Sequence, residues 1–260
     1  MGTGVVNATP AAAVFHFTSF DGTDIAVHEI GAGRPLVLLH GYFSDAETNW
    51  IKFGHAAVLA EAGFRVIMPD LRGHGDSAKP HDTAAYPKDV LADDGFALIK
   101  HLGLIDYDLG GYSLGGRTVA RMLVRGATPR RAIISGMGLT GLTDTQSRVA
   151  HFAKVFDGLG AHKQGSPEWF AEAFMKTTGG DPVALEHVLY TAVDTNAHEL
   201  AAVMLPLGVV CGIDDSDNGS AAALADLVPN ATLITIPGNH MSAVAKPDLG
   251  RAFRDFLVAN

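Results

Sequence analysis

Ser113 stands in the run Gly110-Gly111-Tyr112-Ser113-Leu114-Gly115-Gly116-Arg117, four glycines crowded around one hydroxyl. Glycine destabilises the interior of either a helix or a strand, so its concentration here asks for a geometric reason. Gly111 to Gly115 fits G-x-S-x-G, in which a serine sits on a tight strand-to-helix turn. Side chains two residues to either side of that serine would strike the neighbouring strand or helix, hence glycine at 111 and 115. The pentapeptide alone also fits a glycine-rich turn with a capping serine. Its surroundings favour the first reading, because an apolar run precedes it and a helical pattern over 114–125 follows.

A serine hydroxyl is a poor nucleophile until a base takes its proton, and the usual base is a histidine oriented by a carboxylate. Of the 12 histidines, only His240 lies beyond the last strand-like run, in PGNHMS directly after TLITIP. The acid is expected between the two. IDDSD follows the run LGVVCG and offers Asp214, Asp215 and Asp217. Such chemistry also needs two backbone N–H groups aimed at the oxyanion that develops on an acyl group. One is expected from Leu114, at a helix N-terminus. The other is expected from Tyr42 in LLHGYFSD, with His40 and Gly41 shaping the turn.

These residues are useful only if strands bring them to one edge. Residues 14–30 read as two short strands joined at Asp21-Gly22. Continuous apolar runs at 36–40, 65–70, 107–112, 131–136, 207–212 and 232–237 read as buried parallel strands. Helical segments separate them, and three end at Gly63, Gly103 and Gly126, where a left-handed residue caps the last turn. This rhythm predicts an α/β domain with a mostly parallel eight-stranded sheet and helices on both faces. The rhythm breaks over 138–205, which shows helix starts and no convincing strand. Thr143 to Gln146 fits a capping box. Ser166-Pro167 and Asp181-Pro182 each place a capping residue before a first-turn proline. The division is therefore a core of 1–137 and 206–260 with a helical insertion of 138–205.

The totals narrow the function classes. The chain has 260 residues and 47% hydrophobic residues, enough for a sizeable core. Nineteen basic against 28 acidic residues leave a formal charge of −9, which argues against nucleic acid or an anionic membrane as partner. One cysteine, Cys211, excludes an intrachain disulfide and points to a reducing compartment. No stretch is long and apolar enough to span a bilayer, and MGTGVVNATPAAAVF does not read as a signal peptide. The Asn-x-Ser/Thr triplets at Asn7, Asn218 and Asn230 are then chance matches, and a cytoplasmic location is expected. Gly31-Ala32-Gly33 has no helix behind it and is not a dinucleotide fingerprint. His187 and His198 lack zinc-ligand spacing. No metal and no cofactor are expected.

Taken together, LVLLHGYFSD, MPDLRGHGDS at 68–77, GGYSLGG, and the pair CGIDD and PGNH resemble the α/β-hydrolase fold family, in that family's order and over nearly the whole chain. The resemblance implies Asp215 as the acid, three residues after the glycine that ends its strand, with Asp214 as fallback. It implies that the helices of 138–205 form a cap, or lid, over the site. MPDLRGHGDS is mainly structural in the family, so Arg72, His74 and Asp76 are expected to tie down a loop. Serine at the nucleophile position argues against the dehalogenases and epoxide hydrolases, which use aspartate there. The resemblance then implies a carboxylesterase acting on a small-molecule ester through an acyl-enzyme. Alternatives of the same fold are a lactonase, a carbon–carbon bond hydrolase (Asn49-Trp50 fits, the missing glycines in YFSDAE do not), a cofactor-free perhydrolase or haloperoxidase, and a non-catalytic binding protein.

Candidate substrate contacts are His40, Phe43, Tyr112 and Met241 around the triad and Phe152, Phe156, Trp169 and Phe170 in the insertion. Aromatics at helical spacing are usually packing, so at least half of those in the insertion are expected in its own core. Cys211 reads as a small buried side chain rather than a nucleophile. A monomer or small homo-oligomer is expected.

Overall fold

The computed structural model describes residues 12–259. Readings placed on residues 1–11, the signal-peptide test and the Asn7 triplet among them, lie outside the described residues. Eight strands form one sheet: β1 Ala13–Thr18, β2 Asp24–Ile30, β3 Arg34–Leu39, β4 Phe64–Pro69, β5 Asp108–Tyr112, β6 Ala132–Ser135, β7 Leu207–Gly212 and β8 Ala231–Ile236. Their spatial order is β1-β2-β4-β3-β5-β6-β7-β8. β1 and β2 pair antiparallel, as do β2 and β4, and the remaining pairs are parallel.

β3 shows why its sequence is a continuous apolar run. Leu36 and Leu38 point into one core, with Leu59 and Phe253 from the helices His55–Glu61 and Pro247–Val258. Val37 and Leu39 point into the opposite core, with Leu98 and Val119 from the helices Val90–His101 and Leu114–Val124. Side chains alternate across a strand, so a strand covered on both faces must be apolar at every position. The glycines expected to end helices, 63, 103 and 126, all take positive φ. Among the described residues no helix is long and apolar enough to cross a membrane.

Between β6 and β7 the chain forms five helices and no strand: Leu139–Thr143, Thr145–Asp157, Pro167–Thr177, Pro182–Leu189 and Ala197–Ala201. Ser166 accepts from the Trp169 amide, and Asp181 from the amides of Val183 and Ala184, each ahead of a first-turn proline. The capping box expected at Thr143 is not formed. Thr143 ends the preceding helix, and Asp144 caps the next one, accepting from the Ser147 amide. An aspartate one residue on satisfies the same free N–H groups, and its carboxylate suits the positive end of the helix dipole.

Loop 70–77 is fastened to this frame from inside. The fully buried Arg72 pairs with Asp21 at 2.6 Å and Asp94 at 2.8 Å. The Asp70 carboxylate accepts the amides of Ala46 and Asp76, both at 2.8 Å. Arg72 and His74 are buried within this loop, whereas the Asp76 side chain faces outward and contributes through its amide.

Candidate active site

The serine turn is held by contacts that exclude larger residues. A Cβ on Gly115 would lie 1.9 Å from the Leu39 carbonyl oxygen, and one on Gly111 would lie 2.3 Å from the Gly115 carbonyl carbon. Ser113 takes φ 54° and ψ −112°. Such a backbone in a residue with a Cβ costs on the order of 1–3 kcal/mol, and the surrounding packing must impose it. The Ser113 amide donates to Ser135 O at 2.8 Å, and the Arg117 amide donates to Ser113 O at 2.9 Å.

His240 reaches the serine from the far side of the sheet edge. Its Nε2 lies 3.0 Å from Ser113 Oγ, and its Nδ1 lies 2.9 Å from Asp215 Oδ2. A carboxylate only accepts, so Nδ1–H donates to Asp215 and Nε2 is left to accept from the serine hydroxyl. Burial pushes the Asp215 carboxyl up, but the His240 hydrogen bond and charge pull it further down, so it lies below the usual range. Its side chain is 2% exposed, against 10% for His240. Asp214 faces solvent, and Asp217 offers its amide to Asp215 Oδ1 at 3.2 Å. Of the three aspartates, Asp215 is the one joined to His240. Tyr112 donates its hydroxyl to His240 O at 2.6 Å and so fixes the backbone of the histidine. The short helix His240–Ala243 begins with a capping box between Asn239 and Ser242.

The turn after β3 completes the edge. His40 is fully buried: its Nε2 accepts from the Leu71 amide at 2.9 Å, which leaves Nδ1–H to donate to Gly41 O at 2.8 Å. Burial lowers its pKa. It touches neither cavity at the serine, so its expected role as a substrate contact is corrected to holding two loops together. Asn49 accepts the Gly41 amide at 2.9 Å. Its buried Nδ2 has no partner among the described residues, and it borders the larger cavity. Sequence reasoning weighed Asn49 only as a family marker; its use to hold the turn was not visible. Neither the Tyr42 nor the Leu114 amide donates a hydrogen bond among the described residues.

Two cavities meet at Ser113. The larger, about 220 Å³, is bordered by Gly41, Tyr42, Tyr112, His240 and Met241. The smaller, about 50 Å³, is bordered by Tyr42, Leu114, Arg117, Arg148 and Phe152. Tyr112, Met241 and Phe152 thus stand where substrate contacts were expected. Phe43 and Phe156 do not: they are buried against each other, ring centroids 5.8 Å apart, in a cluster with Met175, Leu185 and Leu189. Trp169 borders a separate surface hollow and Phe170 is 60% exposed, so neither lines a cavity at the serine. Aromatic composition could not separate these cases, because only the side each helix presents to the serine matters. Cys211 is buried, and burial pushes its thiol up to about 12, which leaves it protonated. Ligand atoms of Asp215, Asp217 and His240 lie within 4.8 Å of one another, as do those of His28, Asp70 and Asp76. In each group a histidine–aspartate hydrogen bond occupies two of them, and a cation would have to displace it.

A family model for the alpha/beta hydrolase fold matches residues 34–192. Non-heme chloroperoxidase CPO-A1 of Kitasatospora aureofaciens is 29% identical over 92% of this chain and 97% of its own. A non-heme haloperoxidase of Rhodococcus erythropolis is 35% identical over 55% of this chain, which spans about half, 51%, of that relative. Among solved structures, a thermophilic esterase from Thermogutta terrifontis, determined with malate bound, superposes with a TM-score of 0.76 at 23% identity. That match covers 95% of this chain and 98% of the esterase.

Proposed function

The chain belongs to the α/β-hydrolase fold family, and we propose that it is a serine hydrolase cleaving small-molecule carboxylic esters through an acyl-enzyme. The observation that carries this reading is the continuous chain Ser113 Oγ–His240–Asp215, with steps of 3.0 and 2.9 Å. Two undonated amides flank the same serine. In this reading Ser113 Oγ attacks the ester carbonyl while Nε2 of His240 takes its proton. The tetrahedral oxygen is held by the amides of Tyr42 and Leu114, whose value is that they are already oriented when charge develops. As the carbon–oxygen bond to the alcohol breaks, His240 returns the proton to the leaving oxygen. Water, deprotonated by His240, then releases the acid. Asp215 keeps the imidazole in the right tautomer and stabilises its cation. The helices of 138–205 act as a lid, since Tyr42 on the core side donates to Leu185 O at 2.6 Å. That contact couples the oxyanion turn to the insertion.

A second reading rests on the haloperoxidase names of the sequence relatives. If hydrogen peroxide replaces water at the second step, the same acyl-enzyme yields a peracid, and no residue above changes role. Both readings predict covalent labelling of Ser113 by a fluorophosphonate and loss of p-nitrophenyl ester turnover in Ser113→Ala. Equal turnover in the wild type and Ser113→Ala overturns both. Peroxide-dependent halogenation in acetate buffer that exceeds ester turnover would favour the peracid reading.

A further inference from the structure

Two arginines at the smaller cavity form no ion pair among the described residues. Arg117, one turn after Ser113 on the same helix, donates from Nε to Gly141 O at 3.2 Å. Arg148 lies with its guanidinium 4.9 Å from the centre of the Phe152 ring. Neither forms an ion pair among the described residues, although their neighbour Arg121 is paired with Asp89 at 2.9 Å. Asp194, the acid whose charge reaches Arg117, already accepts from the amide and hydroxyl of Thr145 at 2.7 and 2.6 Å. The charges of Asp217 and Asp215 reach Arg148, but neither is within ion-pair distance of it and Asp215 is engaged by His240 at 2.9 Å. Burial and the nearby Arg148 charge lower the pKa of Arg117 to about 10, and burial lowers that of Arg148. Two like charges are thus held together, half-buried, in a protein whose formal charge is −9. Partly desolvated guanidinium groups gain most from a planar oxyanion that both can grip.

The cavity geometry says which part of a substrate would bring that anion. His240 must protonate the leaving oxygen, and it borders only the larger cavity. The leaving alcohol therefore lies there, and the acyl chain falls into the smaller cavity beside Leu114. Resting on the acyl-enzyme reading above, we infer that the acyl part carries a second carboxylate, gripped by Arg117 and Arg148, so that the substrate is a hemiester of a short dicarboxylic acid. The confined volume, about 50 Å³, selects a short chain between the two carbonyl carbons.

The test compares kcat/KM for the monophenyl esters of succinate, glutarate and adipate, each against a neutral isostere with an isopropyl group in place of the carboxylate. At least one hemiester should exceed its isostere about tenfold or more, because a site built for a polar group rejects the analogue lacking it. Arg148→Gln should lower that ratio about tenfold, chiefly through KM of the hemiester. Should that variant not fold, inhibition of the wild type by free glutarate compared with butyrate reads the same contact. Ester turnover and fluorophosphonate labelling with no hemiester preference at any length overturn this inference and leave the serine hydrolase reading intact. A preference that survives Arg148→Gln and Arg117→Gln also overturns it. Absence of both labelling and turnover overturns the two together.

Discussion

Two histidine clusters lie at the same edge of the sheet and do opposite things. His240 follows β8, is partly open to a cavity, and has a carboxylate on one nitrogen and a hydroxyl on the other. His40 and His74 follow β3 and β4, lie deep in the protein with rings 5.0 Å apart, and face mainly backbone. Burial lowers the pKa of both, that of His74 to about 3, which favours the neutral imidazole in each. The difference teaches that the partner decides the task. A histidine backed by Asp215 can accept a proton and be stabilised as a cation, whereas one backed by carbonyls and amides is a neutral strut.

The sharpest break of that comparison is at Ser113 itself. Ser113→Gly should lower kcat on the order of 10⁶-fold, since removing the nucleophile removes the group the histidine serves. The same substitution relieves a positive φ and should raise unfolding stability by on the order of 1 kcal/mol in a denaturant titration. A variant that is inactive and less stable would refute the strain argument. Asp215→Asn comes next, with a loss of on the order of 10⁴ in kcat through the wrong imidazole tautomer, while Asp214→Asn should change kcat less than about threefold. The reverse ranking in steady-state assays would move the acid to the exposed neighbour.

What could be read from residues follows the same division. Buried strands must be apolar along their length, so β3 to β7 were visible, and Ser113 and Asp215 follow such strands; His240 follows β8, which was also expected to be buried but is largely exposed at the edge of the sheet. The choice among three adjacent aspartates was not settled by the residues themselves, because IDDSD supplies the same chemistry three times and only the turn decides which carboxyl meets Nδ1. Phe43, Phe156, Trp169 and Phe170 misled for a related reason: helical spacing shows that a face is apolar but not whether that face meets a ligand, another helix or solvent. Arg117 and Arg148 were invisible because the absence of an ion-paired carboxylate is a property of the folded neighbourhood, and nothing in SLGGR or QSRVA expresses it.

On the strut side, the effects should appear in stability before chemistry. His40→Leu leaves the Leu71 amide without its acceptor and Gly41 O without its donor, two buried groups that cost about 1–3 kcal/mol each. Unfolding midpoints should fall accordingly. The pH–rate profile of the folded fraction should keep its midpoint, because His40 touches neither Ser113 nor His240 and burial favours its neutral form. A displaced midpoint would place His40 in the proton chemistry and erase the distinction between the clusters.

The smallest expected effect is a pH dependence whose sign separates the struts from the carboxylates. Burial above all holds His74 at about 3, below about 6.5 for an unfolded histidine. The folded state therefore binds fewer protons. Its stability from this group is complete above pH 6.5 and declines as pH falls from there towards 3. Asp70 is pushed up by burial but pulled down further, mainly by His28, to about 2. Its contribution is complete above about 3.9 and is lost only below that pH. Acid should thus weaken the fold in the histidine window first. His74 alone accounts for about 2 kcal/mol by pH 5, or roughly 4–8 °C in Tm for a chain of this size. His74→Phe sharpens the point, since Nε2 of His74 has no partner among the described residues and only the Nδ1 bond to Arg72 O at 3.0 Å is lost. That variant should show a flatter Tm profile between pH 7 and 5 while retaining the wild-type pH–rate midpoint. A slope as steep as that of the wild type would mean that His74 already carries its proton in the folded protein, and that the buried cluster is no neutral strut.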